Sequence, residues 1–95
     1  MKYSDLLRYK QEILSLFDAY GVENPRVFGS TVHGTAKENS DVDFLVEWSA
    51  RHSLFDRIGL MQDLKELLNT KVDLVTEKTL YPSIRQKILD TAIPL

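Results

Sequence analysis

Asp41 and Asp43 are the residues of this chain best placed to do chemistry. They lie two apart in Asp41-Val42-Asp43-Phe44-Leu45-Val46, where alternation marks a strand. Residues two apart on a strand point to the same face, with side chains roughly 6–7 Å apart. Two carboxylates so placed can share a pair of hard cations about 4 Å apart, the arrangement that clamps attacking and leaving oxygens in phosphoryl chemistry. Aspartate is a poor strand former, yet Asp43 sits between two good ones, Val42 and Phe44. An anion there asks for a partner.

Asp73 adds a third carboxylate inside another strand-like run, Val72-Asp73-Leu74-Val75. If the two strands are neighbours, about 4.8 Å apart, Asp73 can lie on the face of Asp41 and Asp43. Singly, each Asp also fits a turn or a solvent-facing edge position. Three of them converging would repel unless cations neutralised them, so a metal site is the economical explanation.

Gly29-Ser30-Thr31-Val32-His33-Gly34 directly follows a short strand, Arg26-Val27-Phe28. Gly29 allows a sharp turn and a close approach of backbone to a ligand. Ser30 brings a hydroxyl and an amide to an expected helix start, where an anion is favoured. Alone, Gly-Ser after a strand also fits an ordinary turn. Gly29 and Gly34 have the spacing of a phosphate-loop NTPase, but that motif needs Lys and Ser/Thr next, and Thr35-Ala36 stand there. That reading is excluded.

The elements that must position these residues follow from hydrophobic spacing. Leu6, Leu7, Ile13, Leu14 and Phe17 share a helical face, with Ser4 as expected N-cap and Gly21 as the stop. Asn24-Pro25 breaks the chain before the first strand. Residues 30–40 are small and polar, with room for one helical turn. Ser53 and Asp56 resemble a capping box, and Leu54, Ile58, Met61, Leu64, Leu67 and Leu68 continue a helix whose stripe is expected in the core. Pro82 suits the first turn of a last helix carrying Ile84, Ile88, Leu89 and Ala92. The order α-β-turn-β-α-β-α predicts three strands with helices covering the sheet. A whole helix joins the second and third strands, which favours a parallel pair; the connection from first to second leaves direction open.

With 95 residues, the chain has length for one small domain. Twelve basic against fourteen acidic residues argue against direct binding of a polynucleotide through its phosphates. The lack of cysteine excludes disulfides and thiolate metal sites and fits a cytoplasmic protein. No apolar run reaches the roughly 20 residues of a membrane span, and no signal-like start is present. His52 reads as a surface or capping residue, and Trp48 as cover for a sheet edge or an interface.

The combination Val27-Phe28-Gly29-Ser30, Gly34, Ser40-Asp41-Val42-Asp43-Phe44-Leu45-Val46 and Val72-Asp73-Leu74-Val75 resembles the DNA polymerase beta-like nucleotidyltransferase superfamily. It is most similar to the minimal branch, the MNT antitoxins that act beside HEPN toxins. The resemblance covers residues 1–95 as a single minimal domain. It implies an α/β (α+β) nucleotidyltransferase fold: a small three-stranded mixed sheet flanked by about four helices. It further implies that Gly29, Ser30, His33, Gly34 and Ser40 bind nucleotide, and that Asp41, Asp43 and Asp73 hold two Mg²⁺ ions, Asp73 also drawing the proton from the acceptor. ATP would donate AMP to a hydroxyl, a tyrosine of a partner HEPN RNase toxin in a hetero-oligomer. Many members carry Arg where His33 stands, and a neutral or partly charged imidazole does not reproduce a fixed guanidinium fork. Two rivals accompany this reading: a non-catalytic antitoxin that works by occlusion, and a transferase with a small-molecule acceptor. Three mutually repelling carboxylates favour catalysis over occlusion.

Overall fold

The computed structural model describes residues 1–34, 41–49 and 52–95. Its helices are α1 (Tyr3–Leu7), α2 (Lys10–Ala19), α3 (Ser30–His33), α4 (Leu54–Leu68) and α5 (Pro82–Thr91). Its strands are β1 (Val22–Phe28), β2 (Val42–Trp48), β3 (Val72–Val75) and β4 (Ile93–Pro94), in the sheet order β3-β2-β1-β4. β2 and β3 run parallel, as the intervening helix requires, while β1 is antiparallel to both β2 and β4.

Alternation along β2 divides the sheet into two faces. Val42, Phe44 and Val46 are buried on the face covered by α2 and α4, with Leu6, Ile13, Phe17, Leu60, Leu64 and Leu68. Phe17 meets Phe44 edge-on, with ring centroids 5.3 Å apart. Between helices, the Tyr20 hydroxyl donates to Asp63 Oδ2 at 2.7 Å, which ties the end of α2 to the side of α4. The second face carries Asp43 and Leu45. Leu45 is nonetheless fully buried. β3 and β4 lie at opposite edges, so the chain between them must traverse the sheet. Arg26, in register with Leu45, makes an ion pair with Glu77 at 3.5 Å, which puts the start of that traverse on the second face.

The capping box of α4 forms in both directions: Asp56 N–H donates to Ser53 Oγ at 3.2 Å, and Ser53 N–H to Asp56 Oδ2 at 2.8 Å. Pro82 opens α5, where its missing N–H costs nothing. Gly21 takes a φ of +76° beyond the end of α2.

Five expectations need correction. The sheet has a fourth strand, invisible to periodicity because it is two residues long and includes Pro94, which the edge position tolerates. The first helix is two helices, because Tyr9 N–H closes a tight turn on Leu6 O at 3.0 Å; Leu7 is left exposed. Ser4 is not the cap: Asp5 and Leu6 N–H donate to Lys2 O, so Lys2 is the N-cap and α1 begins two residues earlier, at Tyr3. Asn24-Pro25 does not precede β1 but lies within it, as a register shift between Glu23 and Arg26 with Asn24 at φ +49°. The apolar stripe of α4 is only partly core. Leu60, Leu64 and Leu68 form the buried line, whereas Leu54 and Ile58 are 69% and 42% exposed.

The α4 correction is testable by urea denaturation. Leu64→Ala should cost about 3 kcal/mol through lost burial and the cavity left behind. Leu54→Ala should cost under about 0.5 kcal/mol, as surface changes do. Equal losses would return Leu54 to the core.

Candidate active site

The parallel register of β2 and β3 sets Asp43 directly beside Asp73, and the antiparallel register of β1 sets Phe28 on its other side. Asp41 immediately precedes β2, two positions from Asp43 and so on the same side by alternation. Asp41 and Asp73 are exposed, while Asp43 is partly buried between its neighbours. Burial is the largest influence on Asp43, followed by the negative charges of Asp73 and then Asp41. Together they push its carboxyl up to about 6 from an ordinary 3.8. The three aspartates predicted from the sequence thus form one electrostatically coupled group.

Gly29 closes over this group. It turns the chain from β1 into α3 at φ +79°, and a Cβ built there would stand 2.6 Å from Asp43 Oδ2. Both the backbone angle and the carboxylate therefore demand glycine. The N–H groups of Val32 and His33 donate to Gly29 O, each at 3.1 Å, which starts α3. The amides of Ser30 and Thr31 precede the first intrahelical donor. Thr31 is buried, and its hydroxyl donates to Met1 O at 3.1 Å, fixing the turn from behind.

The remaining expected residues differ in how the structure presents them. His33 is exposed at the last position of α3. Gly34 ends α3 at φ +72°, but a Cβ there would meet nothing within 4 Å, so its requirement is conformational. Ser40 lies outside the described residues. Trp48 and His52 stack on each other, 4.0 Å apart and 8° from parallel, at the far end of β2 from Asp43. His52 is exposed there.

Sequence reasoning missed what continues the site outward. Asp41 and Asp73 line an open cleft of about 480 Å³ together with Ile58, Met61, Lys65 and Lys71. Nothing in the spacing of the lysines singles them out. Ile58 was hidden by its helical period, which assigned it to the core, whereas Met61 does pack partly against the core while also lining the cleft.

The donor set fits Mg²⁺ in kind: hard carboxylate oxygens, two of them in register and a third two residues away, with like charges close enough to raise the proton affinity of Asp43. Among the described residues, no three such side chains are drawn into a single coordination sphere.

The model of the nucleotidyltransferase domain family matches residues 7–95. The protein adenylyltransferase MntA of Thermococcus cleftensis is 42% identical over 86 residues, covering 90% of this chain and 84% of that protein. A solved structure described as a minimal nucleotidyltransferase superposes with a TM-score of 0.86 at 39% identity, covering 100% of this chain and 97% of the other. A toxin–antitoxin complex with AMP-PNP matches at a TM-score of 0.73 and 26% identity, covering 88% of this chain and 69% of that one.

The raised Asp43 carboxyl makes a signed prediction for the metal-free protein. A carboxyl that binds its proton more tightly when folded contributes stability below the unfolded value of 3.8, and that contribution is lost as pH rises through about 6. In EDTA, Asp43→Asn should therefore gain on wild type by about 1 kcal/mol between pH 4 and 7, allowing for solvent screening. Thermal unfolding across that range measures the difference. A gap that stays constant with pH would mean Asp43 carries no such strain.

Proposed function

This chain belongs to the nucleotidyltransferase domain family, and on that premise we propose that it transfers AMP from ATP to a hydroxyl of a protein, a tyrosine of a HEPN-domain toxin that it restrains as a cytoplasmic antitoxin. The observation that carries the reading is the pairing of Asp43 with Asp73 directly under Gly29. The protein adenylyltransferase activity named for its Thermococcus relative, and the ATP analogue in the similar toxin–antitoxin complex, support the choice of donor and acceptor.

In this reading residues 1–95 act as one minimal catalytic domain. Gly29 and Ser30 hold the distal phosphates, with the amides at the start of α3 turned to the anion. His33, Gly34 and Ser40 complete the nucleotide-binding loop. Asp41, Asp43 and Asp73 would hold two Mg²⁺ ions. When bound, those ions supply charge stabilisation at the attacked phosphorus and the departing pyrophosphate. Asp73, exposed on the edge strand, faces the approach of a bulky acceptor and takes its hydroxyl proton. The acceptor oxygen bonds to the α-phosphorus, the bond from that phosphorus to the bridging oxygen breaks, and pyrophosphate leaves. Asp43, least exposed of the three, keeps the nucleotide side of the group away from bulk water. The chemistry needs a surface of the acceptor protein to deliver the hydroxyl.

Transfer from α-labelled ATP to the toxin separates the roles. Asp41→Asn and Asp43→Asn should abolish labelling. Asp73→Asn should lower turnover 10²–10⁴-fold, the worth of about one general base, while AMP-PNP affinity by calorimetry stays within about threefold. Loss of nucleotide binding in Asp73→Asn would make it chiefly a metal ligand.

His33 provides a second test. Replacing it with Arg puts a permanent charge and a planar fork on the loop, so ATP affinity should rise and its change between pH 6 and pH 8 should flatten. Identical pH profiles in both forms would remove His33 from the phosphate site.

A further inference from the structure

Helix α4 carries more apolar surface than the core uses. Leu60, Leu64 and Leu68 repeat every four residues on the inner line and are buried. A second line, Leu54, Ile58, Met61 and Lys65, repeats at intervals of four, three and four on another side of the same helix, and of these Met61 is partly buried against the core. Leu54 is 69% exposed and Ile58 42%, and Phe55 beside them is 84% exposed. Large apolar groups contiguous on a helix face mark an interaction surface more often than chance exposure.

The position of this line gives it meaning. β3 is the edge strand, so no further strand separates Asp73 from α4 on that side. Ile58, Met61 and Lys65 line the same cleft as Asp41 and Asp73. Whatever brings a hydroxyl to Asp73 through this cleft therefore passes over Ile58, Met61 and Lys65, and Leu54 and Phe55 extend that line beyond the cleft. The cleft is apolar toward Ile58 and cationic toward Lys65 and Lys71, and among the described residues neither lysine makes an ion pair.

We propose that the outer line of α4 is the docking surface for the acceptor protein, which seats apolar side chains on Leu54, Phe55 and Ile58 and an acidic group on Lys65 and Lys71. The inference rests on the protein-acceptor reading above and adds the surface that selects the acceptor. Continuity of the cleft with Asp41 and Asp73 assigns it to that partner. A second copy of the chain would have no reason to reach Asp73.

The test uses the whole chain and a HEPN-domain toxin of the kind found in the similar MntA complexes. Ile58→Glu and, as control, Ile84→Glu on α5 both change an apolar residue of matched exposure, 42% and 43%. By calorimetry, Ile58→Glu should weaken binding of the HEPN protein at least about tenfold, the scale of an interface anchor, whereas Ile84→Glu should stay within about twofold. The unfolding temperature should be unchanged in both. Wild-type affinity retained by Ile58→Glu, or no binding by wild type, overturns the proposal. So does a wild-type self-association that Ile58→Glu abolishes while toxin binding persists. If Ile58→Glu loses the toxin but wild type transfers no AMP to it, the docking surface stands and the adenylyltransferase reading falls.

Discussion

The parallel pairing of β2 with β3 holds like charges together. Backbone hydrogen bonds fix the register that sets Asp43 against Asp73, and the core on the other face of the strands holds that register. Val42, Phe44, Val72 and Leu74 point into the helices, so slipping by one residue would bury the carboxylates and expose the core. Hydrophobic burial thus holds the aspartates in a repulsive arrangement that a cation would relieve. The raised proton affinity of Asp43, set first by its burial and then by the charges of Asp73 and Asp41, is the visible cost.

The rest of the molecule can be understood as serving that pairing. β1 runs antiparallel beside β2 and ends where Gly29 must turn within contact of Asp43, a place no side chain could occupy. The chain between β3 and β4 crosses the second face over Leu45 but leaves the Asp43 end open. One face of the sheet is therefore closed by helices. The other is closed at one end and open where the aspartates stand.

Much of the site was legible because its chemistry conflicts with local structure. Asp43 and Asp73 interrupt runs that otherwise read as good strands, and Gly29 stands where a strand must turn. Such conflicts are where a sequence departs from its folding pattern for function. What escaped had no conflict to announce it. Leu54 and Ile58 obey a helical period, and periodicity cannot tell which of two apolar lines on one helix faces the core. The split between α1 and α2 arises from one tight turn among residues equally able to continue the helix. β4 is two residues held by a neighbour distant in sequence, and the direction of β1 depends on pairing that a short connection leaves undetermined.

The central claim is that Asp43 is a half-buried carboxylate under the added repulsion of its neighbours, a state that a divalent cation relieves. Its titration, followed by carbon NMR of the side-chain carboxyl with and without Mg²⁺ and AMP-PNP, addresses that claim directly. Without the ions the midpoint should lie near 6. With them it should fall below the ordinary carboxylate range, because a cation in contact favours the charged form. A midpoint that stays near 6 in saturating Mg²⁺ and nucleotide would contradict the account.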